Sequence, residues 1–161
     1  MNTSTVNRSL NAVLIGGGIA ATLDIIYAIV RNGGYGKSPL WVLQSVASGW
    51  MGEGAFTSGI AGGIVGLLSH YGILFVAAAI YLAASRHLPI LRSRAIVCGA
   101  IFGVLVYLFM NFVVLPLSAF PFDFPYPLSR LLEGFVSHAA FVGLPIALAI
   151  RRFSAPTASS A

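Results

Sequence analysis

Four apolar stretches, each long enough to cross a lipid bilayer, decide what this 161-residue chain can fold into. They run from about Asn11 to Val30, Thr57 to Ala84, Ala95 to Leu117 and Leu131 to Ile150. Each reaches or exceeds the roughly 20 helical residues that span a hydrocarbon core of about 30 Å. Lipid offers no partner to a backbone N–H or C=O, so a spanning segment of this kind must satisfy itself as a helix. The sequence therefore predicts an all-α membrane protein, a bundle of four transmembrane helices forming a single domain over residues 1–153. Residues 154–161 are small and polar and read as a disordered cytoplasmic tail.

Composition agrees. Hydrophobic residues make up 58% of the chain and charged residues 8%, with a mean hydropathy of +0.91, whereas a soluble domain carries about a quarter charged residues. The net charge of +5 comes from nine Lys and Arg against four Asp and Glu. These cations mark loop ends beside apolar runs, which excludes a nucleic-acid partner and makes the lipid bilayer the expected one. Arg8, Arg86, Arg92, Arg94, Arg151 and Arg152 fall on one side, and Arg31, Lys37 and Arg130 on the other. That bias predicts a multi-pass protein of a bacterial inner membrane with both termini in the cytoplasm. The first run contains Asp24 and ends in Arg31 without a small-residue cleavage site, so it reads as a span and not as a signal peptide.

Between the first two spans, Ser38 to Met51 opens with Ser-Pro, a helix-start signal, and sets Leu40, Val42, Leu43, Val46 and Trp50 at helical spacing. It predicts a short interfacial helix with Trp41 and Trp50 in the aromatic belt, or alternatively a re-entrant hairpin. The turn from Ala119 to Pro127 packs three prolines and four aromatics around Asp123 and predicts a rigid, non-helical cap. Gly59 with Gly63, and Gly62 with Gly66, form two overlapping GxxxG faces, while Gly16, Gly17 and Gly18 smooth the first span. Such faces let helix backbones approach closely, within the chain or across a homodimer.

Each span also carries a polar group that is costly to bury: Asp24, His70, Asn111, and His138 beside Glu133. Ionisable groups at membrane depth point to function unless they serve only as interhelical glue. At about 1.5 Å per residue, Asp24 and Asn111 lie roughly 9 Å and His138 roughly 10 Å below the outer ends of their spans. His70 counts to about 20 Å on the same rise. Tyr107 lies one turn below Asn111 and shares its face. These six residues are the expected ligand or proton site, an outward-facing polar pocket tapering to His70. Asp24 has two readings of equal weight: structural glue, hydrogen-bonded to Asn111 or Tyr27, or a group that handles a proton.

Other chemistries fit poorly. No two histidine or carboxylate ligands share an i, i+3 or i, i+4 spacing, so no metal site is predicted. Bis-histidine haem needs two ligands at one height, and no cofactor is implied. Gly16, Gly18 and Ala21 imitate a dinucleotide fingerprint, but no acidic residue follows about 20 positions on. Gly36-Lys37-Ser38 imitates a phosphate loop whose first glycine would fall on Arg31. Cys98 stands alone within an apolar run. No serine or cysteine has a base and an orienting partner by spacing, so no catalytic residues are assigned.

From residue 60 to 152 the chain resembles the YagU-like bacterial inner-membrane proteins. The resemblance rests on His70, Tyr81 and Pro89 (H-x10-Y-x7-P), on Pro116-Leu117 before a Pro-rich aromatic loop, and on Glu133 and His138 before Arg151-Arg152. It implies an inner-membrane protein of ill-defined activity that matters under acid stress. Two functions follow as expectations: a polar site for a proton, cation or small ligand, in a protein that dimerises because four helices are thin for a transporter, or an accessory subunit of a larger membrane complex.

Overall fold

The computed structural model describes residues 3–122 and 127–154, the side chains of residues 3–5 and 154 excepted. Asp123 and most of the expected tail lie outside them. Among the described residues every regular element is helical. Helix α1 covers Thr3–Gly33, α2 Pro39–Met51, α3 Gly59–His87, the short α4 Ile90–Ser93, α5 Ala95–Leu117 and α6 Leu128–Phe153. Four stretches within them have the length and hydropathy to cross a membrane: Val6–Gly33, Gly59–His87, Ala95–Leu117 and Leu128–Phe153. These match the four predicted spans, with α1, α3 and α6 running a few residues past the apolar runs at one or both ends.

Helix α1 packs between α3 and α6, and α5 packs against the far side of α6. The order around the bundle is thus α3, α1, α6, α5. Helices α3 and α5 meet near the α4 end, where the Tyr81 and Phe102 rings lie 5.0 Å apart at 69°. There Tyr81 donates its hydroxyl to the Leu91 carbonyl at 2.8 Å and ties α3 to the connection before α5. Toward this end the helices are closely packed through small residues. A Cβ on Gly16 would stand 2.9 Å from that of Ala149, and one on Gly17 2.7 Å from Cδ1 of Phe75. Arg86 reaches Ser9 at 3.3 Å, which puts the start of α1 and the end of α3 on the same side of the bundle.

At the opposite end α2 lies between α3 and the end of α5. Its start follows the sequence signal: the Ser38 hydroxyl accepts from Trp41 N–H at 3.1 Å, and Pro39 occupies the first turn, where its missing donor costs nothing. Leu40 covers Gly63, and the Leu43 backbone lies so close to Gly66 that any Cβ there would overlap its carbonyl. On its other side, the Gly49 carbonyl accepts from Ala119 N–H at 2.9 Å. Gly62, Gly63 and Gly66 are buried against this chain's own residues, whereas Gly59 at the start of α3 is exposed.

Helices α5 and α6 each contain one widened π turn, Met110–Val114 and Ala139–Gly143. Both end two residues before a proline, Pro116 and Pro145. Proline brings no N–H to the helix and its ring collides with the carbonyl four residues back. Widening the preceding turn carries that carbonyl clear and leaves the helix continuous.

Candidate functional site

Near the α2 end, the bundle holds a cleft of 340 Å³ bounded by α1, α2, α5 and α6 and lined by aromatic and ionisable side chains. Asp24, Tyr27 and Arg31 face it from α1, three and four residues apart and so on one side of that helix. Tyr107 and Asn111 enter from α5, and Glu133, Ser137 and His138 from α6. Trp41, Ser45 and Val46 of α2 form a further wall, and Phe120 of the turn after α5 also lines it. Five of the six residues expected from the sequence therefore share one cleft.

The sixth does not. His70 is buried behind α1, with Nε2 3.0 Å from the Ala21 carbonyl and 3.9 Å from Asp24 Oδ2. It does not taper the pocket, and it does not lie a further 10 Å down. Counting from the start of the helix misplaces it. At 29 residues α3 is about 43 Å long, well beyond a core of about 30 Å, and α2 packs across its first two turns. His70 is accordingly level with the turn of α1 that carries Ala21 and Asp24.

The hydrogen bonds around Asp24 are not those of the glue reading. Asn111 donates Nδ2 to the Tyr107 carbonyl of its own helix at 2.8 Å, and Tyr27 donates its hydroxyl to Glu133 Oε1 at 2.6 Å. Among the described residues the one ion-pair partner of Asp24 is His70, too distant for a hydrogen bond. Its carboxylate is 14% exposed and faces the cleft. On α6, His138 Nδ1 meets the Ser137 hydroxyl at 3.4 Å, and its ring stands edge-on to Tyr107 at 4.9 Å. Its Nε2 makes no hydrogen bond among the described residues. Asp24 and His70 both lie within electrostatic reach of this imidazole.

Near the α2 end, Arg31 holds Glu133 with both arms, Nε on Oε1 and Nη2 on Oε2 at 2.8 Å. From the sequence Arg31 reads only as the stop of the first span. Its position two turns after Asp24, on the same side of the helix, is the signal that points to the cleft. Helices α5 and α6 are in backbone contact beside the site. A Cβ on Gly103 would overlap the His138 carbonyl, and one on Gly134 would overlap the Tyr107 ring. The two π turns adjoin this level: Asn111 lies within one, and the other begins right after His138. Among the described residues no three His, Cys, Asp or Glu side chains converge as a metal site.

Neither a protein-family model, nor a curated protein, nor a solved structure matches the chain, and nothing in them identifies the YagU-like group. Fold and cleft define a class: a helical protein with four candidate membrane spans, three of which converge on a polar cleft.

Proposed function

We propose that the cleft is an intramembrane binding site for a proton, a cation or a small ligand, with Asp24 and His138 as its reactive groups. The observation that carries this reading is that both line one cavity between apolar spans, and that Asp24 meets no hydrogen-bond donor among the described residues. Ionisable groups at such depth are expensive unless a partner, a cavity or an occupant receives them, and here two of them meet at one cavity. Structural glue is a weaker account, because glue residues bond each other and Asp24 accepts no hydrogen bond among the described residues.

The cleft lies toward the end that carries Arg31, Lys37 and Arg130, opposite the six arginines at and near the α4 end. The excess of cations on cytoplasmic loops then supports a cleft facing outward from a bacterial inner membrane. The YagU-like pattern adds acid stress as the setting. Charged and titratable groups near Asp24 are His70 of α3, Tyr27 and Arg31 of α1, Tyr107 of α5, and Glu133, His138 and Arg130 of α6. The test compares melting temperature between about pH 5 and 8, where imidazoles titrate, for wild type, Asp24→Asn and His138→Gln in detergent. Each substitution should change the shape of the pH profile. Parallel profiles, offset by a constant loss, would reduce these residues to packing.

A further inference from the structure

Resting on that reading, we infer that the occupant of the cleft is a small organic cation, a protonated or quaternary amine held by the Asp24 carboxylate against aromatic walls. Charge comes first. Glu133 is taken up by Arg31 and Tyr27, so that pair cancels and offers neither a free anion nor a free cation. Asp24 remains, with His70 Nε2 bonded to the Ala21 carbonyl and not to the carboxylate. A negative group without donors among the described residues favours a positive guest. Arg130 also lines the cleft, from the first turn of α6 beside Glu133 and about 12 Å along that helix from His138, so its charge acts at the Glu133 end and not at the level of Asp24.

Size and lining select among cations. The 340 Å³ cavity is far larger than a bare ion needs and falls in the range of small-molecule pockets. No three ligating side chains converge for a metal among the described residues. Instead Tyr27, Trp41, Tyr107 and Phe120 line the cleft. Aromatic faces attract ammonium groups, most strongly where water is excluded. Trp41 already does this within the chain, with Lys37 Nζ 4.6 Å from its ring centre.

The test uses the whole protein in detergent and two probes of one shape: choline, and its uncharged isostere 3,3-dimethylbutan-1-ol. Calorimetric titration should show choline binding about tenfold or more tightly than the isostere, with Asp24→Asn lowering choline affinity by about the same factor. Trp41→Leu should weaken it several-fold. Equal binding of the two probes overturns the inference, and this wild-type comparison is decisive even if Asp24→Asn does not fold. Full choline affinity in Asp24→Asn overturns it too. Absence of choline binding, with a pH profile that still changes in Asp24→Asn, removes the amine and leaves a proton or metal-cation site. Absence of both removes the site.

Discussion

Arg31 and Glu133 form a two-armed ion pair that fastens the last turns of α1 to the first turns of α6 across 102 positions of sequence. The pair is partly exposed, at 22% and 38% of the side chains, so solvent screens it and its strength lies in geometry more than in charge. A double-mutant cycle of Arg31→Ala and Glu133→Ala should give a coupling of about 1 kcal/mol in thermal or denaturant unfolding. Arg31→Lys keeps the charge but loses the planar fork, and should recover less than half of that. Zero coupling would mean that the pair does not hold the two helices.

Gly103 lies against the His138 carbonyl, and even one methyl group there has no room. Gly103→Ala should cost about 1–3 kcal/mol through overpacking, because backbone cannot rotate aside as a side chain does. It should also push α5 off α6 at the height of Tyr107 and His138 and weaken any cleft ligand. Gly72, with open space around it, is the control, and Gly72→Ala should leave stability unchanged or slightly raised. Equal stabilities for the two variants would show that α5 and α6 do not make backbone contact.

Height is legible in the sequence and direction is not. Counting residues from span ends puts Asp24, Asn111 and His138 at one level, and they line one cleft because each also faces the bundle interior. His70 shows where counting fails, since α3 is longer than a bilayer core requires, its first turns receive α2, and the zero of depth moves with them. The Arg31 to Glu133 pair escapes a reading of the sequence because Arg31 has a sufficient local explanation as a stop signal, and Glu133 as a member of the polar site beside His138. The π turns do leave a trace, a proline two residues after each. Pro116 reads as the end of a span and Pro145 draws no notice, because a proline inside a helix signals a kink without saying how the helix absorbs it.

Gly66 distinguishes packing within the chain from dimerisation. The Leu43 carbonyl fills the space where its side chain would be, so Gly66→Val should force α2 away from α3 and destabilise the fold by on the order of 3 kcal/mol. Light scattering in detergent should give the same oligomeric state as wild type. A stable variant that merely changes from dimer to monomer would instead mean that this GxxxG face joins two copies.

Helix α2 carries both tryptophans of the chain, which makes its depth measurable. Trp50 is 74% exposed, with Nε1 3.2 Å from the Ser69 hydroxyl, whereas Trp41 stacks among Phe56 and Phe122 and faces the cleft. If α2 lies in the membrane interface, single-tryptophan variants should differ sharply in bilayers of brominated lipid. With Trp41→Phe, the remaining Trp50 should be quenched strongly by bromine near the headgroup and weakly by bromine near the chain terminus, as belt residues are. With Trp50→Phe, the remaining Trp41 should be quenched little at either depth, because protein surrounds its ring. Strong quenching of Trp50 by deep bromine would mean that α2 dips into the hydrocarbon as a re-entrant helix. In that case the cleft wall formed by Trp41 and Ser45 belongs to the membrane interior and not to its surface.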